Sequence, residues 1–151
     1  LLEQVEYEQD SAGAGEWRGG LGVRYRWMVL ADNIACATYG SGFIKETTPI
    51  GLMGGGGGIT QELTITHATG EQEKVETNSF YTLNSGDVFE VVSSGGGGFG
   101  DPRLRAAELV ARDVREGVVS IESAREHYGV ALDPETLTVI EEETAALRAG
   151  A

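Results

Sequence analysis

The chain has 151 residues, 24 of them acidic and 11 basic, for a formal charge of −13, and its single cysteine is Cys36. A domain this acidic lacks the clustered Lys and Arg that neutralise phosphates, which argues against nucleic-acid and anionic-membrane binding. One cysteine excludes an internal disulfide and a cysteine-based zinc cage, and no apolar run approaches the ~18 residues that span a bilayer.

Twenty of the 23 glycines precede Asp101, so the composition divides the chain into a Gly-rich part, 1–100, and a helical tail, 101–151. The first residue is Leu1 and no leader pattern is visible, which reads as an excised domain or a processed piece. From Leu21 to Leu30, Val23, Tyr25, Trp27 and Val29 alternate with Arg24, Arg26 and Met28, the period of a strand with one apolar face. Asn33 to Tyr39 is expected to be its hairpin partner across Ala31-Asp32. Strands are also expected at Glu62–Thr66, Gln72–Thr77, Phe80–Leu83 and Asp87–Val92, with Asn84-Ser85-Gly86-Asp87 as the turn joining the last two. Short strands parted by turn signals predict an antiparallel sandwich or barrel.

After Asp101 the period changes. Asp101-Pro102 is a helix-start pair, and Leu104, Ala107, Val110, Ala111 and Val114 follow at helical spacing as far as Gly117. Ser120 is expected to cap a second helix carrying Ile121, Ala124 and Tyr128. Asp133-Pro134 repeats the first pair before Leu137, Ile140, Thr144 and Leu147. The fold class expected is therefore α+β: mainly antiparallel β, then a short tail of three helices.

Three glycine clusters demand an explanation, because each glycine in an ordered segment costs ~0.5–1 kcal/mol relative to alanine. They are Gly13-Ala14-Gly15 with Gly19-Gly20-Leu21-Gly22, Gly51-Leu52-Met53 with Gly54 to Gly58, and Gly95 to Gly98 with Phe99-Gly100-Asp101-Pro102. A phosphate cradle is one reading, but a P-loop needs Gly-Lys followed by Ser or Thr, and Lys45 and Lys74 lie elsewhere. The N-terminal amides of the helix opening at Asp101 offer an anion site. The other reading is tightly packed extended segments or a flexible loop.

Other chemistry is sparse. His67 and His127 are the only histidines and neither has a partner at metal-ligand spacing. Cys36 reads as a small core residue, and no nucleophile elbow is present. Arg18 is either a clamp for an anion or carboxylate, or the partner of an acid elsewhere in the fold.

Taken together, the motifs resemble a known family. Asp10-Ser11-Ala12-Gly13-Ala14-Gly15-Glu16-Trp17-Arg18-Gly19-Gly20-Leu21-Gly22 is similar to the long signature of the hydantoinase B/oxoprolinase family. Gly51-Leu52-Met53-Gly54-Gly55, Gly95 through Pro102, and Val110-Ala111-Arg112-Asp113-Val114 with Gly117 and Tyr128-Gly129-Val130 resemble further elements of it, in the same order. Ala12 and Ala14 depart from the usual residues, and Gly54 to Gly58 is purer glycine than the usual loop.

The resemblance implies the C-terminal part of a larger B-type subunit in a cytoplasmic hetero-oligomer. It implies two β-sheets in a barrel-like arrangement with Gly-rich extended segments packed together. An A-type subunit would carry the ATP-binding machinery, and the whole enzyme would use ATP and a divalent metal. This fragment is expected to bind no cofactor and no metal, and its partners are the A-type subunit and the upstream part of the B-type subunit. The activity implied is that of an ATP-dependent hydantoinase or 5-oxoprolinase, a cyclic amidohydrolase. The alternatives are an ATP-dependent ketone carboxylase subunit and a non-catalytic assembly module. Catalytic residues stay unassigned. The candidate functional motif is Asp10, Arg18, Gly19, Gly20 and Gly22 with Gly95, Gly96, Gly97, Gly98, Gly100 and Asp101.

Overall fold

A computed structural model of the chain describes residues 1–150. Two compact units are interleaved along the sequence. One comprises residues 1–8, 22–48 and 60–94; the other comprises 9–21, 49–59 and the chain from 95 onward.

The first unit contains the seven strands of the described residues. These are β1 (Leu2–Tyr7), β2 (Val23–Met28), β3 (Ile34–Thr38), β4 (Glu62–Thr66), β5 (Gln72–Lys74), β6 (Ser79–Leu83) and β7 (Val88–Val92). They form two antiparallel sheets, one of five strands in the order β1-β2-β7-β4-β5 and one pairing β3 with β6. The α+β class and the two sheets agree with the sequence, and neither sheet closes into a barrel.

The alternation read in β2 sets its faces. Arg24 and Arg26 lie on one side, where they bridge Glu8, Glu3 and Glu90. Tyr25 and Trp27 lie on the other, with ring centroids 5.5 Å apart, and Trp27 stacks on Phe89 at 6.0 Å. The sheet core is built on Leu63 and Ile65 of β4, with Val75 and Leu83 buried against them.

Pairing departs from expectation in one place. Ile34–Thr38 is not the hairpin partner of β2 but pairs with Ser79–Leu83, because both edges of β2 are already occupied by β1 and β7. The Asn84–Asp87 turn joins β6 to β7 as expected, with the Asp87 carboxylate accepting from the Asn84 amide at 2.8 Å, and it carries the chain from one sheet to the other. Strand β1, for which the sequence carries no clear alternation, pairs with β2 through a register shift between Leu2 and Gln4. That irregularity breaks the simple alternation that marks a strand.

The second unit holds three helices, α1 (Ala107–Arg115), α2 (Ile121–Tyr128) and α3 (Glu141–Ala149). Its core is Val110, Ala111 and Val114 of α1 with Val119, Ala124, Tyr128, Val130 and Leu132. Ser120 caps α2 as expected, its hydroxyl accepting from the Ser123 amide at 3.0 Å. Gly129, at φ 61°, ends it in the left-handed conformation that glycine adopts without strain.

The two Asp-Pro pairs behave otherwise than predicted. Asp101-Pro102 opens only a three-residue 3-10 turn, Pro102–Leu104; Arg105 is extended, and α1 begins at Ala107. The extension frees the Arg105 side chain for buried contacts described below. At Asp133-Pro134 no helix starts. The Asp133 carboxylate closes a tight turn by accepting from the Glu135 and Thr136 amides and the Thr136 hydroxyl. Leu137 then takes φ 55°, Leu132 bridges Val139, and α3 starts at Glu141. An aspartate before proline caps any turn with free amides, so the pair marks a turn as readily as a helix. Glu141, Glu142 and Glu143 all lie in the first turn of α3, where carboxylates oppose the positive end of the helix dipole. Among the described residues no helix is long and apolar enough to cross a membrane.

Candidate functional site

The glycine clusters meet in the second unit as three extended segments bonded through their backbones. The Gly13 amide donates to Gly96 O at 2.8 Å, Gly96 to Gly20 O at 2.8 Å, Gly56 to Ala14 O at 2.7 Å, and Gly98 to Gly56 O at 2.9 Å. Trp17 and Phe99 exchange amide–carbonyl bonds at 3.0 and 2.9 Å, and Leu52 donates to Gly98 O at 2.9 Å.

Most of these glycines are there for space. Gly13, Gly19, Gly55, Gly95, Gly97 and Gly98 do not have the positive φ that favours glycine. A Cβ on Gly13 would stand 2.6 Å from Gly98 N, and one on Gly98 would stand 2.7 Å from Gly13 O. One on Gly55 would stand 2.8 Å from Phe99 N, and one on Gly95 2.8 Å from Ala12 N. In each case the obstacle is backbone, which cannot rotate away. Extended chains approach this closely only where hydrogen replaces the side chain, the principle that places glycine at the axis of the collagen helix. The consecutive glycines are thus neither a flexible loop nor a phosphate cradle.

Behind this bundle lies a buried charge cluster. The Asp113 carboxylate, on the apolar face of α1, accepts from Arg105 Nη2 at 2.9 Å and lies 3.4 Å from Arg18 Nε. Arg18 Nη1 also donates to Gly19 O at 2.9 Å, and Arg105 Nη1 to Glu16 O at 3.0 Å. Arg148 continues the network, donating to Arg105 O at 2.7 Å and Tyr128 O at 3.2 Å. Burial pushes the Tyr128 hydroxyl above its ordinary pKa, against the opposing pull of Arg105 and Arg18.

The candidate residues fall into distinct places. Asp10, Arg18, Gly19, Gly20, Gly95, Gly96, Gly97 and Gly98 converge in or on the glycine bundle. Gly100, at φ 77°, donates to Leu52 O at 3.0 Å. Asp101 is exposed and caps the short 3-10 turn through the Arg103 amide, so those amides are already engaged and offer no anion site. Gly22 lies in the strand-bearing unit, where its carbonyl accepts the Glu8 amide at 2.9 Å. Asp10, at φ 57°, accepts from the Ser120 amide at 2.9 Å and so holds the start of α2.

Sequence reasoning missed the buried pairing of Asp113 with Arg105. A signal existed for Asp113: it interrupts the buried stripe Val110, Ala111, Val114, and a carboxylate on such a stripe needs a cationic partner.

Between Asp10, the glycine wall at Ala12, Ala14 and Gly56–Gly58, and the side chains of α2 lies an open cleft of about 390 Å³. Glu122, Glu126, His127, Ser120 and Ser123 line its far side. Three carboxylates, Asp10, Glu122 and Glu126, line it, and the Gly56 and Gly58 amides are spent on Ala14 O and Pro49 O. Such a cleft repels nucleotide phosphates. Arg18 and Arg105, the nearest thing to a phosphate clamp, are held by Asp113. The lining of this cleft therefore does not fit ATP, and among the described residues no cluster of His, Cys, Asp and Glu is arranged to hold a metal ion.

The family profile for hydantoinase B/oxoprolinase matches residues 1–102. The chain belongs to this family. It is 34% identical over 137 residues to the caprolactamase subunit beta of Pseudomonas jessenii, covering 88% of this chain and 23% of that subunit. The crystal structure of the ATP-dependent caprolactamase from the same organism superposes with a TM-score of 0.80 at 32% identity, over 99% of this chain and 26% of that one. The acetophenone carboxylase delta subunit of Aromatoleum aromaticum is 30% identical over 179 aligned positions, spanning 99% of this chain and 26% of that subunit. Acetone carboxylase in its nucleotide-free form shares the fold, with a TM-score of 0.83 at 24% identity over 99% of this chain and 24% of that chain. The chain thus spans about a quarter of the length of the relatives it matches.

Proposed function

We propose that this chain is the C-terminal part of the B-type subunit of an ATP-dependent cyclic amidohydrolase, in which it supplies scaffold and a glycine wall. The observation that carries this reading is the glycine bundle: Gly13, Gly19, Gly55, Gly95, Gly97 and Gly98, all within the motifs that resemble the family's, are points where backbones touch. Similarity to a caprolactamase subunit over 88% of the chain supports ring-opening of a cyclic amide as the reaction. Nucleotide chemistry would fall to an A-type partner, since the acidic cleft here opposes phosphate. A second reading, a ketone carboxylase subunit, is favoured by the 30% identity to the acetophenone carboxylase delta subunit. Both readings assign this chain the same structural part, in a cytoplasmic hetero-oligomer.

Co-expression with an A-type subunit, with and without the rest of a B-type subunit, tests the proposal. The expected outcome is complex formation, with caprolactam- or hydantoin-dependent ATP hydrolysis only when the rest is present. Hydrolysis driven instead by ketone and bicarbonate would select the carboxylase reading. Turnover by the 151-residue chain and the A-type subunit alone would contradict a purely structural part.

A further inference from the structure

The five-stranded sheet is covered unevenly. Register places Leu2, Trp27, Phe89 and Ile65 in one row across β1, β2, β7 and β4, and Val5, Tyr25, Val91 and Leu63 in the next. All eight side chains therefore share a face, the one opposite the Arg24 and Arg26 ion pairs. Along the first row exposure runs from 54% at Leu2 and 36% at Trp27 through half-buried Phe89 to 0% at Ile65; along the second it falls from 51% at Val5 to 6% at Leu63.

The cause is width. Strands stand about 4.8 Å apart, so a two-stranded sheet shields about 10 Å of a five-stranded one. Here β3 and β6 cover the β4–β7 side, through Cys36, Tyr81 and Leu83. The β1–β2 side, extended by Tyr7 at 74% exposure, keeps a contiguous apolar and aromatic surface in water. Patches of this kind mark interaction surfaces, and stacked Tyr and Trp are the side chains that anchor them.

We propose that this face is the docking surface for the rest of the B-type polypeptide, which lays a further apolar layer across β1 and β2. The proposal rests on the reading of the chain as one part of a B-type subunit. The caprolactamase and acetone carboxylase chains superpose on 99% of this chain with 26% and 24% of their own length, so each carries about three quarters of its polypeptide beyond the matched fold. A covalently joined layer also docks at high effective concentration, an advantage that a second copy lacks.

The test uses the two tryptophans, Trp17 and Trp27. Trp17→Phe leaves Trp27 as the only tryptophan of the 151-residue chain, and its acrylamide quenching is compared with that of Trp27 in the B-type polypeptide that carries it, made with every other tryptophan replaced by phenylalanine. Hydroxyl-radical footprinting of Tyr7 and Trp27 in the unmutated proteins gives an independent readout. The expected result is a severalfold drop in quenching and labelling in the longer polypeptide, reversed by Val5→Glu, while Val5→Glu leaves the short chain folded. Equal accessibility in both proteins would overturn the proposal. So would shielding of Trp27 in the short chain alone, whether as a monomer or as a dimer, or a natural polypeptide of these 151 residues only. Normal shielding without substrate-dependent ATP hydrolysis would count against the proposed function and leave the docking surface standing.

Discussion

Arg18 Nε lies 3.4 Å from Asp113 Oδ2, joining the glycine signature to the first helix across 95 residues of sequence. Asp113 is almost fully buried and also takes Arg105, so one carboxylate holds two guanidinium groups. Asp113→Asn keeps the shape and leaves both cations uncompensated, which should cost about 3–5 kcal/mol. Denaturant unfolding of the variant measures the loss. A cost below about 1 kcal/mol, the range of exposed pairs, would mean that the cluster is not a structural hub.

The same contact decides what Arg18 is for. Lysine lacks the planar fork that reaches Asp113 and Gly19 O together. Arg18→Lys should lower stability by about 1.5 kcal/mol or more, the worth of a hydrogen bond to a charged group. Any fall in the activity of an assembled enzyme should track that loss. Reduced turnover with an unchanged unfolding midpoint would place Arg18 in the chemistry instead.

Asp87 carries a pH dependence. Its carboxylate accepts the Asn84 amide at 2.8 Å and the Ala68 amide at 3.0 Å, with His67 Nδ1 3.5 Å away. The Asn84 amide above all, then the Ala68 amide and His67, hold its pKa below the usual aspartate value. A depressed folded pKa contributes stability that is present above the unfolded value of about 3.9 and lost as pH falls through the folded one. Wild type should therefore exceed Asp87→Asn in stability at pH 7, and the gap should close as pH falls below about 4. Urea melts at several pH values check this; a gap independent of pH would remove the ionised carboxylate from the account.

Burial raises the Cys36 thiol above its ordinary pKa, which lowers the thiolate fraction at neutral pH. Iodoacetamide should label Cys36 slowly in the folded chain and rapidly in urea. Equal rates would show that the half-buried position gives no protection.

The faces of β2, the turn at Asn84–Asp87 and the Ser120 cap were legible because each depends on neighbours in sequence. Strand pairing was not. Nothing local to Asn33–Tyr39 says that β2 already has two partners, one of which, β7, lies some 60 residues downstream. The Asp-Pro pairs misled for a related reason: Asp133 caps whatever free amides follow it, and Leu137 at φ 55° ends the turn before a helix can form. At the candidate site, the order of the glycine clusters pointed to the family, while their purpose lay in contacts between segments about 40 residues apart or more. Arg18 announced itself by standing among glycines, but its partner Asp113 was hidden inside an ordinary amphipathic pattern.

If the glycine signature works by letting backbones touch, two adjacent positions, Gly19 and Gly20, should respond differently to a side chain. A Cβ on Gly19 would stand 2.6 Å from the Gly96 carbonyl carbon and closer still to its oxygen, whereas a Cβ on Gly20 would meet nothing within 4 Å. Neither residue has a positive φ, so conformational strain does not distinguish them. Thermal unfolding of Gly19→Ala and Gly20→Ala measures the difference. Gly19→Ala should lose about 3 kcal/mol or more, beyond ordinary overpacking because only backbone can yield. Gly20→Ala should be neutral or stabilising by about 0.4–1 kcal/mol, through a less disordered unfolded chain. Equal midpoints for the two variants would contradict the packing account and return the glycines to a flexible loop.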